Sequence, residues 1–171
     1  MDTGPVPAVI RVARGGDAAD LAALIDHYIT TSPATFDLEP LTVDERSAWL
    51  AAHPRRGPHR VVVAVRAGRV VGFASSGEFR RKAGYATSVE CSVYCAPDAT
   101  GAGLGTGLYA ALFAELADAG LHRAYAAVAL PNPASVALHL RSGFHRVGVL
   151  HEVGWKFGRY WDVAWFERPL P

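Results

Sequence analysis

Cysteine, methionine and charge of one sign are all scarce in this chain. Cys91 and Cys95 are the only cysteines among 171 residues. They stand four apart in a stretch that reads as a strand, where about 3.3 Å per residue puts their Cα atoms about 13 Å apart. That is beyond the reach of a disulfide. No neighbouring residue suggests an activated thiolate, so both read as packing residues. The 17 basic and 16 acidic residues leave a net charge of +1, far from the electrostatic footprint of a nucleic-acid binder. No apolar run approaches the ~20 residues of a membrane helix, and the opening MDTGPVPA lacks the basic and apolar regions of a signal peptide. A cytoplasmic protein without a nucleic-acid or membrane partner is expected. Metal-ligand spacing is missing as well: His151-Glu152-Val153-Gly154-Trp155 is not H-E-x-x-H.

Apolar residues, by contrast, make up 50% of the chain, enough to fill one core, and a single domain over residues 1–171 is expected. Val9 to Arg14 alternate as a short strand, and Asp17 can cap a helix bearing Leu21, Leu24, Ile25, Tyr28 and Ile29 on one face. Thr42 and Glu45 form a capping-box pattern ahead of Trp49 and Leu50, and Pro54, Gly57 and Pro58 end that helix. Arg60 to Val65 and Arg69 to Ala74 read as a hairpin about Ala67-Gly68, followed by a strand over Thr87 to Cys95. Between them the charged, glycine-bounded stretch Gly77 to Tyr85 reads as a loop facing solvent or a ligand. A helix follows Gly101 to Gly107 and runs to about Ala119. Next come a strand over Arg123 to Leu130, a helix opening after Pro131-Asn132-Pro133 and ending at Gly143, and strands over about Phe144 to Glu152 and Tyr160 to Glu167. This order predicts a mixed α/β domain, one sheet with helices on its faces.

Gly101-Ala102-Gly103-Leu104-Gly105-Thr106-Gly107 stands between a strand and a helix. Free backbone N–H groups at the positive end of a helix suit a pyrophosphate, although a flexible turn would look the same. The segment matches neither G-x-G-x-x-G nor G-x-x-x-x-G-K-[ST], which disfavours a dinucleotide fold or a P-loop. Glu90 lies mid-strand between Val89 and Cys91, and its residue type fits a base as well as a half-exposed strand carboxylate. His139 fits a proton relay or a packed helical histidine. Arg80, Arg81 and Lys82, with Tyr85 beside them, fit a carboxylate clamp or a solvated basic loop.

The run Val89-Glu90-Cys91-Ser92-Val93-Tyr94-Cys95-Ala96-Pro97 through Gly103-Leu104-Gly105-Thr106 resembles the acetyl-CoA motif of the GNAT superfamily. More narrowly, the chain resembles phosphinothricin and methionine-sulfoximine acetyltransferases. Asn132 to His139, Gly143-Phe144, Glu152 to Val163, His27-Tyr28-Ile29 and Thr35-Phe36 carry the rest of the likeness. The resemblance implies the GNAT acyl-CoA N-acyltransferase fold and direct transfer of acetyl from acetyl-CoA to the amine of a small amino-acid-like substrate. It implies cofactor contacts at Val93, Tyr94 and Cys95, at Gly101, Ala102, Gly103, Leu104, Gly105 and Thr106, and at Asn132. It also implies Glu90 as base acting through water, His139 near the CoA sulfur, and Arg80, Lys82, Tyr85 and Phe36 around the substrate. Thr100 departs from the superfamily pattern, which has Gln or Arg there, so a side-chain contribution to the pyrophosphate is missing. Relatives are commonly homodimers, and Trp161, Val163, Trp165 and Phe166 could supply an interface or core. A protein N-terminal or lysine acetyltransferase, and a non-catalytic CoA-binding module, are the competing readings.

Overall fold

The computed structural model describes residues 7–101 and 103–171. Along the chain run β1 (Val9–Val12), α1 (Ala18–Thr31), α2 (Val43–Ala51), β2 (Val61–Arg66), β3 (Arg69–Glu78), β4 (Ser88–Cys95), α3 (Leu104–Leu116), β5 (Arg123–Leu130), α4 (Pro133–Arg141), β6 (His145–Lys156) and β7 (Arg159–Pro169). Among the described residues the strands form one sheet in the order β1-β2-β3-β4-β5-β7-β6. The expected order of elements is the one observed.

Local chemistry explains the ends. The Thr42 hydroxyl accepts from the Glu45 N–H at 3.2 Å while the Glu45 carboxylate accepts from the Thr42 N–H at 2.8 Å, so two orphan donors at the start of α2 are satisfied. At the start of α4 the Asn132 side-chain oxygen accepts from the Ser135 N–H. Three boundaries differ from expectation. β3 continues to Glu78, because Gly77 and Glu78 keep pairing with Glu90 and Val89. α3 ends at Leu116. β6 and β7 run on into a hairpin about Phe157-Gly158, both with positive φ, where sequence periodicity fades because β6 is exposed along much of its length.

Two cores flank the sheet. On one face Leu108, Leu112 and Leu116 of α3 pack with Val62, Val89, Cys91 and Ala126. On the other, Leu21, Ile25 and Ile29 of α1 and Leu50 of α2 pack over Val61, Val63 and Phe73. Strand alternation therefore sends Val89 and Cys91 toward α3, and Tyr94 toward α1 and α2. Phe166 is wholly buried, Val163 nearly so, and the Trp161 indole donates to the Lys156 carbonyl. The C-terminal apolar residues proposed as core or interface are thus core or half-buried; the exposed apolar row is instead on β6, at Val147, Leu150, Val153 and Trp155. Among the described residues, no helix is long and apolar enough to cross a membrane.

Candidate active site

The site begins where the sheet fails to close. β4 and β5 pair in parallel only from Ser88↔Arg123 to Glu90↔Tyr125, and beyond Glu90 the strands part. Ala96 N–H donates to Val71 carbonyl at 2.8 Å, so by alternation the backbone groups of Tyr94 and Ser92 turn to β3. Those of Cys91, Val93 and Cys95 turn to the gap. A cleft of about 350 Å³ fills this gap, walled by Val93 and Cys95 on β4, Ala127 and Ala129 on β5, and the first turns of α3 and α4. One of the exposed carbonyls is already engaged: the Tyr28 hydroxyl donates to the Cys95 carbonyl at 2.6 Å. Val93 N–H and C=O and Cys95 N–H are left for a ligand. The expected backbone contact at Tyr94 is corrected accordingly, since its N–H and C=O face β3, although the residue lines the cleft.

The glycine turn supplies the cleft's polar end. Gly101 and Gly103 have φ of +85 and +76, conformations an L side chain rarely adopts. They bring the chain round so that α3 opens on the cleft. Gly107 N–H is the first to bond back into the helix, to Gly103 carbonyl, so the N–H groups of Leu104, Gly105 and Thr106 have no intrahelical partner. Such a set at the positive end of a helix fits a pyrophosphate. Gly105 also lacks a side chain for a packing reason, because a Cβ there would lie 2.8 Å from Leu138 Cδ2 of α4. The Thr100 hydroxyl donates to the Pro97 carbonyl, so it stiffens the turn. Ala102 lies outside the described residues. Arg141, at the end of α4, also lines the cleft; its place as a lone cation after an apolar helix gave no signal in the sequence.

Glu90, Ser92 and Tyr94 point to the other face, where they line a second cavity of about 260 Å³ with Asp37, Arg46 and Trp49. Ser92 and Tyr94 border both cavities, so the two meet at β4. Among the described residues the Glu90 carboxylate has no hydrogen-bond partner. Burial raises its pKa, and the charge of Arg80 partly opposes that rise.

His139 is 3% exposed. Its Nδ1 lies 2.7 Å from the Ser135 carbonyl and its Nε2 2.9 Å from the Tyr109 hydroxyl. With Nδ1–H donating to the carbonyl, Nε2 accepts from tyrosine. Burial lowers the histidine pKa, and the ring packs against Phe144 and Phe166. Tyr109 and His139 both border the cleft. The cysteines are unsuited to nucleophilic work, since burial pushes the Cys91 thiol up to about 12 and the Cys95 thiol up to about 11.

The basic loop is exposed. Arg80 donates to its own neighbour's carbonyl, Phe79, and stacks on the Phe79 and Trp165 rings. Lys82 and Tyr85 line neither cavity, and Tyr85 packs edge-on to Phe79. Phe36 also lies outside both cavities; its ring is pressed against Gly154. Asp37 and Arg46, which do face Glu90's cavity, escaped sequence reasoning. The available signal was that Arg46 falls three and four residues before Trp49 and Leu50, on the buried stripe of α2.

Residues 21–144 match the acetyltransferase (GNAT) family. A phosphinothricin N-acetyltransferase of Streptomyces coelicolor is 52% identical over 97% of this chain and 99% of its own length. An L-methionine sulfoximine/L-methionine sulfone acetyltransferase of Pseudomonas aeruginosa is 36% identical, with 95% of each chain covered. A protein from Salmonella typhimurium, solved with its cofactor acetyl-CoA, superposes with a TM-score of 0.91 at 32% identity, covering 96% of this chain and 95% of that one. A sheet parted after Glu90, a left-handed glycine turn opening α3 on the gap, and these likenesses lead to one conclusion: the chain belongs to the GNAT family and is an acetyl-CoA-dependent N-acetyltransferase.

Proposed function

We propose that this enzyme acetylates the amine of a small anionic amino-acid-like substrate, phosphinothricin or methionine sulfoximine and sulfone being the models, by direct transfer within a ternary complex. The observation that carries this reading is Glu90: a carboxylate without a hydrogen-bond partner among the described residues, in an amino-acid-sized cavity that meets the cofactor-shaped cleft at Ser92 and Tyr94. At about 260 Å³ the cavity falls below the ~300–1,000 Å³ of common ligand pockets, which suits an amino acid.

The free N–H groups of Leu104 to Thr106 would hold the pyrophosphate, with Asn132 beside them, and the open backbone of Val93 would hold the arm that leads to the sulfur. When bound, acetyl-CoA supplies the acyl group as a thioester open to attack by an uncharged amine. Glu90 takes the proton from the substrate ammonium, directly or through a water. Its raised pKa brings it closer to the amine and makes it a stronger base, while the charge of Arg80 opposes part of that rise. His139 accepts at Nε2 from the Tyr109 hydroxyl at 2.9 Å, and the pair forms the polar floor of the cleft. Arg80, Lys82 and Tyr85 serve as an outer electrostatic guide for an anion, and Phe36 shapes the wall behind the cavity. The free thiols suit a reducing cytoplasm, and the exposed apolar row of β6 suits a homodimer.

Thiol release from acetyl-CoA should be measured with phosphinothricin, methionine sulfoximine, methionine sulfone, common amino acids and short peptides. Saturable turnover of one amino-acid analogue is expected, with Glu90→Gln lowering kcat ~10²–10⁴-fold and sparing acetyl-CoA binding. Activity on peptides alone would transfer the case to a protein acetyltransferase, and binding without turnover to a CoA-binding module.

A further inference from the structure

The cavity that holds Glu90 contains one cation, Arg46, and it is in an unusual state. The residue is 5% exposed, yet among the described residues its guanidinium makes no hydrogen bond, and its Nε is buried without a partner. Asp26 and Asp37 act on it across space, but among the described residues no carboxylate oxygen comes within the 4.0 Å of an ion pair. Asp26 itself has a buried oxygen without a partner. What holds Arg46 in place is the face of Trp49, 4.8 Å from the guanidinium carbon to the ring centroid. A buried guanidinium left unpaired is costly, and a fork of donors facing a cavity matches a carboxylate.

The other charges in the cavity are of the opposite sign: Glu90, Asp37 and Glu78. Burial lowers the His53 pKa, and its Nδ1 meets the Trp49 carbonyl. An α-amino acid zwitterion would complete this arrangement, its ammonium among the carboxylates and its carboxylate on the lone cation. Arg80 cannot serve in the same way from its observed position, since it is stacked on Phe79 and Trp165 and lines neither cavity.

Resting on the amino-acid reading above, we propose that Arg46 is the specificity-determining anchor for the α-carboxylate of the substrate, placing its α-amine at Glu90. The site selects free amino acids over amides, amines and chain-internal residues, because an analogue without the carboxylate leaves the guanidinium buried and unpaired again.

The test compares the amino acid that the wild-type enzyme turns over fastest with the same molecule as its primary amide. The wild type should prefer the acid by at least about 100-fold in kcat/KM. Arg46→Gln should lose about 100-fold on the acid, mostly through KM, change little on the amide, and leave the KM for acetyl-CoA unchanged. Arg46→Lys should recover part of the loss, because a point charge remains without the fork. Equal losses on acid and amide in Arg46→Gln would overturn the assignment and make Arg46 a partner of Asp26 only. Equal wild-type rates on acid and amide would overturn it too, even if the variants fail to fold. Absence of any amino-acid turnover, with activity on peptide amines, would instead sink the amino-acid reading and the anchor with it.

Discussion

The glycine turn contains two glycines with different reasons to be glycine, and paired substitutions separate them. At Gly103, φ is +76 and nothing lies within 4 Å of a Cβ placed there. Alanine meets no neighbour and pays only for the left-handed backbone, about 1–2 kcal/mol. For a chain of this size each kcal/mol moves Tm by roughly 2–4 °C, so Gly103→Ala should lower Tm by about 2–8 °C. It should also raise the KM for acetyl-CoA, since the turn relaxes away from the conformation that aims the α3 N–H groups. At Gly105 the backbone is helical, and alanine gains about 0.5–1 kcal/mol of helix propensity. Its methyl, however, would lie 2.8 Å from Leu138 Cδ2 and 3.2 Å from Cδ1, and moving that side chain off its rotamer costs about 0.5–1.5 kcal/mol. The two effects nearly cancel, giving a Tm change within about 4 °C of zero. In a Leu138→Ala background the clash is gone, and Gly105→Ala should become stabilising by up to about 1 kcal/mol. Thermal unfolding of the four-member cycle, with acetyl-CoA titrations, reads all of this. A Gly103→Ala protein with unchanged Tm would refute the left-handed turn. A Gly105→Ala penalty that persists without Leu138 would refute the close approach of α3 and α4.

Because Arg80 lowers the Glu90 pKa against the larger effect of burial, the acid limb of kcat/KM should lie above the ordinary glutamate range. It should move further up in Arg80→Gln; a limb that stays put would remove Arg80 from the site's electrostatics. Asp17 accepts both ends of the Arg11 guanidinium, at 2.7 and 2.8 Å, and the Arg14 N–H, which holds its carboxyl below the usual range. Its stabilisation is therefore complete above the unfolded-state pKa and lost as pH falls through the lower folded-state value. Asp17→Asn should reduce stability by about 1–3 kcal/mol at pH 7 and flatten the acid limb of a denaturant-midpoint profile; a loss that is the same at pH 2 and pH 7 would contradict this. With the Cys95 thiol pushed up to about 11, Cys95→Ala should retain turnover within a few fold, and mass spectrometry should find no acetylated enzyme during catalysis.

The order of strands and helices was legible because its determinants are local. The Thr42–Glu45 capping box, the Pro131-Asn132-Pro133 opening of α4 and the glycines at 101, 103 and 143 act within three or four residues of themselves, so a linear reading recovers them. The glycine turn was legible for the same reason, as were the cysteines as packing residues, whereas Glu90 stands out by the family resemblance and not by its neighbours. What the linear reading could not settle is where side chains end up once distant elements meet. Arg46 shows its place only once α2 packs over Phe73 of β3, with the guanidinium lining the cavity between them. Arg80 reads as a clamp until Trp165, 85 positions later in the chain, offers its ring. His139 titrates freely in a peptide but not when Tyr109 and Ser135 engage both nitrogens. The parting of β4 from β5 after Glu90 follows from which strands pair and for how long, a balance among contacts far apart in sequence. Sequence alone determined the parts and their order; tertiary structure decided which charges are buried, which are paired and which are left to wait for a ligand, because desolvation and pairing are properties of the packed chain.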